Sequence, residues 1–188
     1  AEDQTVARSV ASCLQQVAHV ADRIVDTFAN GGRLVYLGAG TSGRLGILDA
    51  VECPPTFSVP ASQVVALIAG GEGAVYKAVE GAEDNPQLAV TDLQQIQLNP
   101  NDILIGIAAS GRTPYVLGGL AYARSLGCYT AAISCNANAP VLAAADGKDN
   151  NAAKPSQADY ALLGITAGTE AGLQAMLMFM TLYVIDQF

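Results

Sequence analysis

Apolar and polar positions follow two periodicities along this chain. Single apolar residues recur at helical spacing in some stretches, and short continuous apolar runs separate these stretches. The helical spacing predicts helices over 4–30, 45–51, 87–95, 115–126 and 168–186. The continuous runs predict strands over 34–37, 64–68, 103–107, 130–133 and 160–163. Buried strands that alternate with helices are typical of a parallel sheet covered on both faces, so the pattern indicates an α/β fold.

The composition fits one such domain and restricts its partners. The chain has 188 residues, of which 51% are hydrophobic and 14% charged, so a sizeable core is expected. Its formal net charge of −8 repels the phosphates of nucleic acids and anionic lipids, and neither is an expected partner. Polar Gln174 and Thr181 interrupt the apolar stretch 171–185, which is too short for a membrane span. That stretch is therefore predicted to be a buried or subunit-interface helix.

The cysteines indicate the compartment. Cys13, Cys53, Cys128 and Cys135 lie far apart in the sequence, and His19 is the single histidine. This spacing does not form a zinc motif, so we expect no metal site and reduced thiols. The given sequence opens without a basic segment followed by an apolar run, so no signal peptide is expected. The predicted location is the cytoplasm.

A glycine-rich turn follows the first predicted strand. Residues 38–44 read GAGTSGR and match the spacing of the dinucleotide fingerprint GxGxxG. The second strand, however, lacks the closing acidic residue that would bind the ribose of a dinucleotide. The alternatives are a purely structural turn and a phosphate monoester site at a helix N-terminus. The residues that favour the phosphate site are Gly40, Thr41, Ser42 and Gly43.

A second turn of the same kind follows the third predicted strand. Residues 108–114 read AASGRTP, and Pro114 is well suited to the first turn of a helix. Ser110 or Thr113 could act as an ordinary N-cap. Because parallel strands have their carboxyl ends at the same edge, we expect both turns to contribute to one phosphate site. From this turn the site takes Ser110, Gly111 and Thr113.

Two glutamates are candidates for acid–base chemistry. Glu52 lies in DAVECPP, where Pro54 and Pro55 fix the exit of the chain and an apolar frame favours a protonated acid. Glu83 lies in the polar turn EGAEDN, although acidic turns are usually solvated surface. An open-chain sugar phosphate has an acidic proton at C2 beside its C1 carbonyl. One carboxylate can remove that proton while another protonates a departing oxygen at C3, without any cofactor.

The three blocks 31–57, 67–85 and 106–128 resemble the N-acetylmuramic acid 6-phosphate etherases, which belong to the sugar isomerase (SIS) domain superfamily. The resemblance implies a single SIS domain over 1–188, a three-layer αβα sandwich with a five-stranded parallel sheet of the flavodoxin-like, doubly wound kind. It also implies a homodimer with sites near the subunit interface. The implied ligand is a phosphorylated amino sugar. The implied reaction removes D-lactate by elimination and then adds water to give N-acetylglucosamine 6-phosphate.

The resemblance assigns roles to individual residues. It implies that Glu52 is the acid for the lactyl oxygen, that Glu83 is the base at C2, and that Ser42, Ser110 and Thr113 hold the phosphate. Beyond residue 145 the match ends except for Ala-Gly-Thr at 167–169, and the family's C-terminal helical region is expected to be absent.

Two other functions share this fold. A non-catalytic sugar-phosphate regulator needs the phosphate loops but not both glutamates, and an aldose–ketose isomerase needs no acid at C3. The joint presence of Glu52 and Glu83 therefore favours the etherase.

Overall fold

The computed structural model describes residues 9–136 and 138–145, together with the backbone of 162–164. Within these residues, five strands form one parallel sheet, as predicted, and their order is β2-β1-β3-β4-β5. The strands are β1 (Leu34–Gly38), β2 (Val64–Ile68), β3 (Ile103–Ile107), β4 (Tyr129–Ser134) and β5 (Leu162–Gly164). Strands β1 and β3 are buried at every position, because their continuous apolar runs face helices on both sides.

Helices cover both faces of the sheet and complete the predicted three-layer α/β sandwich. The helices are α1 (Leu14–Ala29), α2 (Gly40–Phe57), α3 (Gly73–Tyr76), α4 (Pro86–Gln95), α5 (Pro114–Leu126) and α6 (Pro140–Ala144), and a 3-10 turn spans Ala82–Asp84. One core lies between the sheet and α1 and α2, and it contains Ile24, Tyr36 and Leu45. The other lies between the sheet and α4, α5 and α6, and it contains Leu93 and Leu120.

The predicted helix 4–30 is interrupted within its described part. Residues 9–11 are helical, a turn follows at Ser12 and Cys13, and α1 begins at Leu14. The hydroxyl of Ser12 donates to the carbonyl of Ser9 at 2.6 Å. A serine hydroxyl that bonds locally to the backbone competes with regular helix formation, which accounts for the break. The predicted helix 168–186 lies outside the described residues, and the predicted single domain over 1–188 stays a prediction.

Helix α2 is longer at both ends than the predicted 45–51. It begins inside the glycine-rich turn and continues through Pro54 and Pro55 to Phe57. The sequence predicts that the helix ends before the prolines, and this prediction is wrong, because the helix continues through them. They lie near its last turn, where the missing N–H groups leave only two carbonyls without their usual partners. The C-cap that follows Phe57 is Ser58, which has a left-handed backbone (φ 58°).

The topology creates a crevice at the carboxyl edge of the sheet. Gly38, at the end of β1, pairs with Ile68 of β2 on one side and with Ile107 of β3 on the other. From β1 the chain passes to β2, whereas from β3 it passes to β4 in the opposite direction. Ligands of doubly wound sheets bind where the strand order reverses in this way, so the site should lie beyond the ends of β1 and β3.

Candidate active site

The loop after β1 leads directly into the first turn of α2. Ala39 is the N-cap, and no side chain of the described residues caps that first turn. The first N–H groups of a helix have no intrahelical acceptor, and the helix dipole places partial positive charge at them. Gly40 (φ 53°), Thr41 and Ser42 form this turn, and it contains no acidic residue. Its geometry is that of an anion site.

Gly43 has a different part in the same loop. Its N–H donates to the carbonyl of Ala39 at 3.2 Å, so this donor is already used. A Cβ atom at Gly43 would lie 2.6 Å from Cγ1 of Ile68 and 3.0 Å from the carbonyl carbon of Gly38. The absence of a side chain therefore allows α2 to pack closely against the ends of β1 and β2. The geometry favours a packing role for Gly43 over its predicted role as a phosphate donor.

The loop after β3 is tied to the neighbouring helix α6. Gly111 has φ 69°, its carbonyl accepts from the N–H of Val141 at 3.0 Å, and a Cβ atom there would collide with Ala139. Ser110 is exposed, and its hydroxyl accepts from the N–H of Arg112 at 3.3 Å. Thr113 is the N-cap of α5, but its side chain makes no capping bond. A simple cap therefore does not explain the hydroxyl of Thr113.

The two loops start from adjacent strands, β1 and β3. Neighbouring strands lie about 4.8 Å apart, so the loops flank one crevice. The predicted phosphate residues in both loops thus lie at the same edge of the sheet, as expected from the sequence.

A cleft of about 210 Å³ opens beside the first loop. Gly40 lines this cleft together with Glu80 and Glu83. Glu83 belongs to the 3-10 turn that follows Gly81, and its side chain is exposed. The structure therefore brings one of the two predicted carboxylates, Glu83, to the loop predicted to bind phosphate.

Arg44 is a cleft residue that the sequence analysis did not select. Its Nε–H donates to the carbonyl of Val75 at 2.8 Å, and Nη2 donates to the carbonyl of Ala74 at 2.8 Å. Arg44 closes the GAGTSGR motif, so its place at the phosphate loop was visible in the sequence. Its partners lie about thirty residues further on, and spacing alone does not reveal them.

Glu52 does not reach this cleft within one chain. It follows Gly40 by twelve residues on α2, which corresponds to about 18 Å along the helix axis. Its side chain is exposed, as are Leu48 (45%), Val51 (62%) and Pro55 on the same face of the helix. The apolar frame expected around Glu52 is therefore not formed by the described residues of a single chain.

Three further features concern metal binding, membrane crossing and the cysteines. In the described part of the chain, no three His, Cys, Asp or Glu side chains are grouped to hold a metal ion. None of the described helices has both the length and the apolar character that crossing a bilayer requires. All four cysteines are free thiols, and Cys13, Cys53 and Cys128 are buried.

A doubly wound sheet with two hydroxyl-bearing loops at its switch point defines an α/β domain suited to phosphorylated ligands. Residues 16–124 match the family model of the glucokinase regulatory protein N-terminal SIS domain. The chain belongs to this family of SIS domains.

The more specific resemblance is also confirmed. The chain is 61% identical to the N-acetylmuramic acid 6-phosphate etherase of Cronobacter sakazakii over 145 residues, which is 77% of this chain and 49% of that protein. It is 62% identical to the same enzyme of Colwellia psychrerythraea over 137 residues, which is 73% of this chain and 44% of that protein. The chain thus spans about half the length of the curated relatives it matches.

Comparison with a solved structure supports the fold and says nothing about the function. The phosphoheptose isomerase of Francisella tularensis aligns with a TM-score of 0.66 at 16% identity, and the alignment covers 97% of this chain and 92% of that one.

Proposed function

We propose that this chain acts as an N-acetylmuramic acid 6-phosphate etherase, which removes D-lactate from that sugar by elimination and then adds water. The observation that carries the proposal is the cleft that Gly40 and Glu83 share, in a chain 61% identical to such an etherase. The cleft places a carboxylate beside an anion-binding helix turn, as proton removal from a phosphorylated sugar requires.

The phosphate binds at the first turn of α2 and between the two loops. The N–H groups of that turn donate to the phosphate oxygens, and the positive end of the helix dipole favours its charge. The hydroxyls of Ser42, Ser110 and Thr113 add hydrogen bonds from the two neighbouring loops. This local set of donors explains how a chain with a net charge of −8 binds an anion.

Glu83 is the base. It removes the C2 proton of the open-chain sugar, and the electron pair of that C–H bond forms the C2–C3 double bond. The C3–O bond breaks, and its electrons leave with the lactyl oxygen, which takes a proton from the acid. Water then adds across the double bond to give N-acetylglucosamine 6-phosphate. In this sequence of steps the two carboxyl groups exchange only protons.

The acid is Glu52 of a second copy of the chain. The short carbon chain between C6, which carries the phosphate, and C3, which carries the lactyl oxygen, cannot span the ~18 Å that separates Gly40 from Glu52 along α2. Leu48, Val51 and Pro55 form an exposed apolar stripe next to Glu52, which a second subunit would cover. Burial of that stripe supplies the apolar surroundings that favour a protonated carboxyl group. The active form is therefore a homodimer, and the free thiols support a cytoplasmic location.

The reaction in deuterium oxide tests this assignment. We expect N-acetylglucosamine 6-phosphate with deuterium at C2, together with free D-lactate, and neither product from Glu83→Gln. Glu52→Gln should slow lactate release more than it slows exchange of the C2 proton. Lactate release by both variants at the wild-type rate would exclude the proposed roles. Binding of the sugar phosphate without any turnover would indicate a regulator instead.

A further inference from the structure

The segment that carries Glu83, residues 70–84, is attached to the rest of the chain at few points. Its side chains are mostly exposed, and Ala74 and Ala82 are its buried residues. Gly70, Gly71 and Gly81 have positive φ angles within it. A segment with little buried apolar surface depends on its polar contacts for a defined position. We call it the Glu83 segment.

Arg44 supplies two such contacts from the phosphate-binding helix. Helix α3, within the Glu83 segment, has only four residues, so most of its carbonyls have no intrahelical donor. Arg44 donates from Nε to Val75 and from Nη2 to Ala74, each at 2.8 Å. The two donors belong to one rigid guanidinium plane, so together they fix the orientation of α3 as well as its distance.

The position of Arg44 links the two halves of the cleft. It lies one residue beyond Gly43 on α2 and lines the same cleft as Gly40 and Glu83. Its guanidinium is half-buried, and two of its donor nitrogens already bond to protein carbonyls. The principal contacts of Arg44 therefore join α2 to α3, and the phosphate is not its main partner.

We propose that Arg44 is a positioning residue, which holds the Glu83 segment at a fixed separation from the first turn of α2. This contact thereby keeps a fixed distance between the base, Glu83, and the phosphate of the bound sugar. This inference rests on the proposed function in one respect, namely that Glu83 is the base. The part that concerns the structure of the segment can be tested without any turnover.

Amide hydrogen exchange of the free protein tests that part. Arg44→Gln removes both bonds, so amides within residues 73–84 should exchange at least about tenfold faster, whereas β3 and α5 should not change. Arg124→Gln is the matched control, because Arg124 also donates to a backbone carbonyl (Nη1 to Ala144, 2.7 Å) but on α5. Arg124→Gln should leave exchange in the Glu83 segment unchanged. Should Arg44→Gln fail to fold, Arg44→Lys, which can keep only one of the bonds, should show a smaller acceleration in the same amides.

Kinetics test the consequence for the reaction. Arg44→Gln should lower kcat for D-lactate release about tenfold or more, while the Kd for N-acetylglucosamine 6-phosphate changes by less than about threefold. Arg44→Lys should fall between that variant and the wild type. Unchanged exchange in the Glu83 segment, or a loss of sugar-phosphate affinity as large as the loss of kcat, would overturn the proposal. If the wild-type chain releases no lactate, the etherase assignment fails, and the exchange experiment still decides the role of Arg44.

Discussion

Gly40 and Glu52 lie on one continuous helix, α2, and the step of twelve residues from one to the other places Glu52 about 18 Å from the proposed phosphate-binding turn along the helix axis. Glu83, by contrast, lines the same cleft as Gly40. Under the proposed roles, Glu52 of the same chain is too far from this turn to act on a sugar phosphate bound there. A pair formed by Glu83 of one subunit and Glu52 of another satisfies both observations.

Mixed dimers test this arrangement. Glu83→Gln should abolish D-lactate release and Glu52→Gln should slow it strongly, and dimers that combine the two variants should recover it. Each mixed dimer retains one intact site, so random mixing should restore about a quarter of the wild-type rate. The control combines Glu52→Gln with the double variant, which leaves no intact site. Purified mixed dimers without activity, or a protein that stays monomeric, would contradict the two-chain site.

The phosphate loops give a second prediction. Ser42→Ala, Ser110→Ala and Thr113→Ala should each weaken binding of N-acetylglucosamine 6-phosphate, because each removes a hydrogen bond to a charged group. The expected loss is about 1.5–3 kcal/mol for each variant, measured by calorimetry. Ser125→Ala is the control, since Ser125 is an exposed serine of α5 whose hydroxyl donates to the carbonyl of Tyr122. Unchanged affinity in all three loop variants would exclude the shared phosphate site.

A third prediction concerns stability at the opposite edge of the sheet. The side chain of Asp102 is fully buried, and it accepts hydrogen bonds from Arg33 and from Asn99. Asp102→Asn leaves the guanidinium of Arg33 without its charge partner and should lower the free energy of unfolding by about 3 kcal/mol or more in urea titrations. Asp26→Asn is the control, because Asp26 and Arg23 form an exposed pair at 4.0 Å and the change should be below about 1 kcal/mol. An equal loss of unfolding free energy in the two variants would contradict the prediction that the buried pair contributes more than the exposed one.

A fourth prediction follows from the buried thiols. Burial, together with the charges of Asp49 and Glu52, raises the pKa of Cys53 to about 12, and burial raises the pKa of Cys128 to about 11. Above about pH 9 the unfolded chain loses these protons and the folded chain keeps them. The free energy of unfolding should therefore fall as the pH rises from about 9 towards 11, by up to about 1.4 kcal/mol per pH unit for each thiol. Cys128→Ala should make that fall shallower, and an identical slope in the variant would refute the prediction.

Much of the sheet could be predicted from local sequence. Strands β1 and β3 are continuous apolar runs because they are buried on both faces, and this pattern is visible without tertiary information. Helix α2 was predicted too short because its first turn is built from Gly40, Thr41 and Ser42, which are poor helix signals. Helix α3 was not predicted, since four residues are too few to show a period.

The candidate site was predicted less completely than the sheet. Hydroxyls and glycines after a strand mark phosphate loops by their chemistry, so Ser42 and Ser110 could be selected from sequence. The bonds of Arg44 to the Glu83 segment depend on how α2 and α3 meet in space, and no local pattern encodes them. Both glutamates could be selected from the sequence. The distance of Glu52 from the turn at Gly40, however, follows from the continuity of α2 between these two residues, which the sequence pattern does not predict.

The central claim is that this chain cleaves the lactyl ether of a phosphorylated amino sugar. The most direct measurement is the release of D-lactate from N-acetylmuramic acid 6-phosphate by the purified wild-type chain, with Glu83→Gln as the control. We expect one D-lactate for each N-acetylglucosamine 6-phosphate formed, and none from the variant. Sugar-phosphate binding by the wild-type dimer without any D-lactate would contradict it.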